Sequence, residues 1–572
     1  MSISSLYGKA RRSRLLGCTA LAVAAGMFLS TPALAADRPS GDVSVPTPKS
    51  SVPKLERPAP QQGLRARPAI KAAGANPQFD LDGDGIDETL VRLMDGTTGV
   101  WLSTEGGAFS TYTIGTDDPS VRQKDIITPG DLDGTGGPDV LTLSTTGTLS
   151  LYHSAGTTGT GYAVWSGGGW QIYNKVFAPG DVTGDGKPDL LARTYAGDLY
   201  LYAGTGSESA PFRGRVKVGG GWGAYDQLVG VGDMNKDGLG DVVARNANGD
   251  LYYYAGKGST TAPLAGKVLI GGGWNTYNQI AAAYDWNSDG QNDLVARTTS
   301  GDMYFYLSDG KGKFLPRQRV GSGFNGIDLL VGSGANPRFG KTSLIGMDTK
   351  GTLFWYGVQN NGKLSAREQI SDTGGWLGAK IAYASSLDPD GYADLLEVYD
   401  GVLYNNDSMA SGWGKVNLFL GPGDLNDDGK GDLLARDSSG VLYLERGNGA
   451  GTGVSAVKVG SGWNAYDKIV GGGDLTGDGR TDIVARTPSG TLYLYRGTGN
   501  SSAPFASKVK IGDGWQQYNK LASPGDIDGD NRADLVAANS KGELFVYSST
   551  GTGKFKARVK LGTGWNTYRD LY

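Results

Sequence analysis

A nine-residue acidic stretch, "DVTGDGKPD" at 181–189, recurs in variant form along most of the 572-residue chain at intervals near 50 residues. That period constrains the fold strongly, because each unit must be one supersecondary piece that buries its apolar face against its neighbours. The stretch begins at Asp80, Asp131, Asp181, Asp233, Asp285, Ser386, Asp424, Asp474 and Asp526. The gap of 101 residues between Asp285 and Ser386 holds a tenth unit near Ala335 without the acidic loop, and the unit opening at Ser386 is shortened to 38 residues.

A full unit reads as four short strands. After "DVTGDGKPD" comes the apolar run "LLART". "AGDLYLYAG" then sets Leu199 and Leu201 on one face and Tyr200 and Tyr202 on the other, predicting cover on both sides. "GRVKVGGGW" alternates Arg215 and Lys217 with Val216 and Val218, as a strand with one wet side does, and "YDQLVGVGD" leads into the next loop. Four strands in about 50 residues is the size of a propeller blade. The predicted class is all-β: a β-propeller of about ten four-stranded blades. "GANPQF" at 74–79 returns as "GANPRF" at 334–339, an interval of 260 residues, or five units. Two tandem five-bladed propellers are therefore expected, at 74–331 and 332–572, the second opening with one or two degenerate repeats.

Residues 1–35 read as a general secretory signal peptide. Lys9, Arg11, Arg12 and Arg14 precede an apolar stretch from Leu15 to Leu29, and Ala33-Leu34-Ala35 offers a small-residue cleavage site. "LLGC" at 15–18 fails as a lipobox because Cys18 precedes the apolar stretch, and "RRSRLL" fails as a twin-arginine signal at Arg14. Cleavage takes the net charge from −4 to about −8 and removes the only cysteine, so a disulfide cannot brace the exported chain. Residues 36–73, rich in proline, read as an extended, disordered tether. No later run is long and apolar enough to span a membrane. No strongly basic face suggests nucleic acid. A secreted monomer with an association to the cell wall is expected.

The loop pattern is D-x-[DNT]-x-D-G-x-x-D. Side chains at positions 1, 3 and 5 of a tight turn converge, position 9 returns a carboxylate, and glycine at 6 permits the bend; this oxygen cage suits Ca²⁺ better than Mg²⁺. The candidate ligands are Asp80, Asp82, Asp84 and Glu88; Asp181, Thr183, Asp185 and Asp189; Asp233, Asn235, Asp237 and Asp241; and Asp285, Asn287, Asp289 and Asp293. In the second half they are Asp424, Asn426, Asp428 and Asp432; Asp474, Thr476, Asp478 and Asp482; and Asp526, Asp528, Asp530 and Asp534. Asp131, Asp133 and Asp139 share a loop with Thr135 at position 5, and Asp388, Asp390 and Asp394 one with Ser386 at position 1, so both should bind more weakly. Asn531 fills the glycine slot of the Asp526 loop, as asparagine can. These loops hold 29 of the 58 acidic residues at ligand positions, far more than solvated turns require. A cation there would tie strand ends together, a structural role.

At these residues the chain resembles the FG-GAP/VCBS repeat family, the calcium-loop blades also found in integrin α-chains. It has only variants of the "FG…GAP" signature, such as "VFAPGD" and "LASPGD", so the integrin blade count does not carry over. "KVGGGWGAYDQLVG", "KVGSGWNAYDKIVG" and "VKLGTGWNTYRDLY" resemble the blades of tachylectin-type lectins. That resemblance implies five-bladed rings with repeated pockets for N-acetylated amino sugars.

The aromatic slot supplies candidate ligand contacts at Trp170, Trp222, Trp274, Trp463, Trp515 and Trp565; the alternative is that these rings wedge between blades. The recurrent Arg193, Arg245, Arg297, Arg436 and Arg486 are expected to pair with loop carboxylates, and His153 to fill a tyrosine-like structural slot. One histidine and no exported cysteine argue against thiol or histidine-dependent catalysis. The repeats fill 74–572, so an enzyme such as a polysaccharide lyase is the weakest reading. The expectation is a calcium-stabilised, multivalent carbohydrate-binding protein for amino-sugar polymers such as chitin or peptidoglycan, or else a protein-binding adhesion scaffold.

Overall fold

The computed structural model describes residues 43–56, 78–102, 108–115, 122–287, 289–334, 340–406 and 408–572. Residues 1–35, read from the sequence as a signal peptide, lie outside them, as do most of the 36–73 segment and all but Gly334 of "GANPRF". Forty strands form ten four-stranded antiparallel sheets, a multi-blade β-propeller.

One unit explains the rest. Tyr173–Gly180 is buried along its whole length and packs beside its counterpart Tyr225–Gly232, so it is an inner strand. The acidic loop follows, then Asp189–Thr194 and Leu199–Tyr202, paired Leu199↔Arg193 to Tyr202↔Leu190. Val216–Gly219 is the exposed outer strand, carrying Lys217, with Arg215 just before it. Leu199 and Leu201 are buried, but Tyr200 and Tyr202 are only half-buried, so cover on that second face is partial. The "GGW" turn is a single 3-10 turn after Gly221, which adopts φ 85°, a conformation glycine reaches without strain.

Two long-range pairings close the rings. Ile327–Leu330 completes the sheet of Thr89–Leu93, with Val91 opposite Leu330, and Tyr568–Leu571 completes that of Ser343–Asp348, with Gly346 opposite Leu571. The ten sheets thus fall into two closed sets of five. From Asp131 on, each acidic loop follows the inner strand of its unit, so these loops gather on one face of each ring and the aromatic turns on the other.

The rings stack with the loop face of the second on the turn face of the first. Asn174 Nδ2 donates to Asp478 O (2.8 Å) and Asn278 Nδ2 to Asp528 O (2.8 Å). Arg532 pairs with Asp226 at 3.2 Å, and Arg480 lies over the Tyr195 ring at 5.2 Å. A cavity of about 110 Å³ sits at this junction, lined by Lys124, Asn174 and Tyr195 from one ring and Lys341, Asp424 and Asp474 from the other.

Residues 43–56 correct the tether reading. They are extended but docked: Val43 and Val45 pack against the second ring's Ile345, Trp355 and Tyr383, and Leu55 is buried with Val91, Trp101 and Phe324 of the first. Glu56 N donates to Val320 O (2.8 Å), and Ser50 Oγ accepts from Asp95 N (3.0 Å). Proline-rich composition favours extension, and these apolar side chains give the extended segment a surface to cover.

Candidate functional site

Each acidic loop is held by its own carboxylates. In 181–189, Asp181 Oδ1 accepts from Gly184 N (2.6 Å) and Oδ2 from Gly186 N (2.7 Å), wrapping the turn around position 1. Asp189, at position 9, accepts from Val182 N and, with its other oxygen, from Gly204 N, both at 2.9 Å, so it joins the loop to the neighbouring strand end. The position-1 pattern recurs at Asp80, Asp474 and Asp526. Asn531 adopts φ 63° in the glycine slot, as anticipated.

The carboxylates crowd one another in low-dielectric surroundings. Burial, reinforced by neighbouring loop carboxylates, pushes Asp189 up to about 6 and Asp241, Asp394 and Asp432 up to about 7. Asp293, Asp482 and Asp534 are raised well above the usual range by the same causes. Buried Asp293 Oδ2 and Asp528 Oδ1 have no hydrogen-bond partner. One oxygen each of Asp80, Asp82 and Glu88, and one each of Asp526, Asp528 and Asp534, lie within 4.8 Å of one another. Concentrated negative charge with unsatisfied oxygens is what a hard cation relieves, so these residues fit a metal ion. In the shortened unit Ser386 Oγ donates to Asp388 O (2.7 Å), while Asp394 keeps the position-9 bond to Leu387 N (2.6 Å).

The profile of the FG-GAP-like repeat matches residues 131–192, 181–244, 233–296, 424–485 and 474–537. The chain is an FG-GAP repeat protein. The matched FG-GAP segments leave out the first unit, the loopless unit and the shortened one. No curated protein matches the chain. Among solved structures, the lectin BP39L of Burkholderia pseudomallei is similar with 13% identity and a TM-score of 0.19, covering 77% of this chain and 100% of that one. That likeness is too weak to say anything of fold or ligand.

Three sequence readings of the FG-GAP units change. The six candidate tryptophans are not open stacking platforms: Trp170, Trp222, Trp274, Trp463, Trp515 and Trp565 are only 6–8% exposed. Each lies against a tyrosine ring, Trp170 on Tyr202 at 4.5 Å and Trp463 on Tyr495 at 4.8 Å among them, because one large aromatic per unit fills the seam between blades. The recurrent arginines do not pair with the loops of their own units. Arg245 pairs with Asp226 at 2.7 Å and donates to the carbonyls of Trp274 and Tyr277; Arg486 likewise joins Asp467 and the Trp515 and Tyr518 carbonyls. Nε of Arg193, Arg297 and Arg436 donates to Asn174, Asn278 and Asn417. They therefore clamp the aromatic turn of the next unit. His153, finally, is not in the tyrosine slot. Tyr152 pairs with Val140 there, and His153 falls one residue on, opposite Asp139.

The seams hold a polar-aromatic group that the sequence reading missed. Tyr173 and Tyr202 share a hydroxyl hydrogen bond (2.7 Å), and Arg215 Nη1 donates to Tyr173 (2.8 Å) while lying over Tyr200 at 4.7 Å. Tyr277 and Tyr306 with Arg317, Tyr466 and Tyr495 with Lys508, and Tyr518 and Tyr547 with Arg558 repeat the set. Tyr225 pairs with Tyr254, and Tyr356 with Tyr568. The cue was a basic residue just before five of the outer strands, at Arg215, Lys267, Arg317, Lys508 and Arg558.

Proposed function

We propose that the chain is a secreted, calcium-braced scaffold that binds a carbohydrate polymer at several seams at once. Calcium is the cation the loops suit: all-oxygen donors on a tight, flexible turn, with several carboxylates per site. The observation that carries the binding reading is the six-fold recurrence of one group, Trp against Tyr with a Tyr–Tyr hydroxyl pair, four of them capped by a cation that bonds a tyrosine hydroxyl. Partly exposed tyrosines next to a fixed cation combine an apolar edge with hydroxyl-directed donors, which sugars require. Spaced around a ring, weak sites of that kind gain by multivalency.

Retention on insoluble chitin and peptidoglycan in millimolar Ca²⁺, followed by elution with N-acetylglucosamine, tests this. Sugar-reversible retention that Arg215→Ala and Arg558→Ala weaken together is expected. Retention unaffected by sugar, or none while the protein stays folded, would sink the carbohydrate reading. A protein partner is the second reading. It is favoured by Leu377 and Met409, apolar side chains 63% and 62% exposed on the two least regular units.

A further inference from the structure

The loop at 131–139 differs from the other acidic loops in ways that belong together, and we propose that it is a histidine-containing site for a divalent transition cation of the Zn²⁺ class. Thr135 stands where the pattern has a carboxylate. The missing donor is replaced from the adjacent hairpin: His153 lies opposite Asp139 in the strand register, with Nε2 against Asp133 Oδ2. One oxygen each from Asp133 and Asp139 and a ring nitrogen of His153 lie within 4.8 Å of one another.

A second observation points to the same place. In six other loops the position-9 carboxylate satisfies its second oxygen with a backbone N–H fifteen residues on: Gly204, Gly256, Ser308, Gly447, Gly497 or Ser549. Here the corresponding Ser154 N donates to Pro138 O (3.2 Å) instead. Asp139 Oδ1 is left buried with no partner, on a residue only 1% exposed. An oxygen stripped of its usual donor beside an introduced imidazole is a free ligand position. Glu208 Oε2, 3.9 Å from His153 Nε2, brings a further carboxylate to the rim.

The donor chemistry sets the metal. Ca²⁺ takes six to eight oxygens, and this loop has exchanged a carboxylate for a threonine hydroxyl and gained a nitrogen. Imidazole with two or three carboxylates suits Zn²⁺, which is content with four mixed N and O ligands. The inference stands apart from the calcium reading of the other loops, so the test saturates those loops first.

His153 is the only histidine in the chain, which makes the measurement site-specific. The full chain, labelled with ¹³C,¹⁵N-histidine and held in millimolar Ca²⁺, is titrated with ZnCl₂ while the ring signals are followed by NMR. One equivalent of Zn²⁺ is expected to move the ring signals to a new bound position that Ca²⁺ alone does not produce. Calorimetry under the same conditions should show one tight Zn²⁺ step, absent in His153→Gln. Asp139→Asn should weaken it at least about 10-fold, the loss typical of even an outer-shell partner. His153→Gln should keep the calcium-dependent melting of the parent, separating a lost site from a lost fold. Ring signals unmoved by Zn²⁺, or moved equally by Ca²⁺, would overturn the proposal and leave His153 as a hydrogen-bond partner of Asp133.

Discussion

Arg245 holds three things at once: the Asp226 carboxylate and the carbonyls of Trp274 and Tyr277 on the next unit. Arg245 is buried, so removing it takes away its bonds to Asp226 and to both carbonyls at once, leaving Asp226 with Arg532 and the Trp274 carbonyl with the Tyr277 N–H. Arg245→Met should destabilise the protein by roughly 3 kcal/mol, read as a lower urea midpoint. Lys341 is the opposite case, a buried amine whose Nζ reaches Ser523 O at 3.4 Å and lies 5.6 Å from the Tyr383 ring. Burial pushes its pKa down from 10.5 to about 7. Between those values the unfolded chain holds a proton that the folded chain does not. Lys341 therefore costs stability that is recovered as pH rises from about 7 towards 10.5, and the penalty is greatest below about 7. Melting temperatures at pH 7, 8 and 9 should show Lys341→Met gaining most over the parent at pH 7 and least at pH 9. A constant difference across that range would contradict it.

At the scale of elements, the docked segment 43–56 bridges contacts on both rings. Leu55→Ser removes an apolar side chain from the Val91–Trp101–Phe324 cluster and should cost about 2 kcal/mol. Limited proteolysis should then cut near residue 50 faster than in the parent. Composition concealed this segment, because prolines and charges describe a tether equally well and only a partner surface selects a docked path. The acidic loops were legible because their chemistry is local: positions 1, 6 and 9 act within nine residues, as at Asp181, Gly186 and Asp189. His153 was missed by one residue of register, which in a strand exchanges one face for the other. The tryptophan slots were visible, but whether a ring points at ligand or neighbour depends on Tyr202 and Tyr495, which pair with them across a seam.

For the whole molecule, the return of "GANP" after five units anticipated the two closures, at Leu330 on Val91 and Leu571 on Gly346. The stacking of one ring on the other was not legible. Its contacts, Asn174 to Asp478 and Arg532 to Asp226, join units hundreds of residues apart and follow no period. That stacking also buries Asp526, Asp528 and Asp530 at the second ring's loop face, whereas Asp82 on the first is exposed. Loss of cations should therefore loosen the junction as well as each loop. Cation bracing by the loops is tested most directly by differential scanning calorimetry of the chain in 2 mM Ca²⁺ and in excess chelator. Several sites each contributing about 2–3 kcal/mol should separate the two melting temperatures by about 10 °C or more, with calcium added back restoring the higher one. Identical transitions in both conditions, with no calcium taken up, would rule out that bracing role.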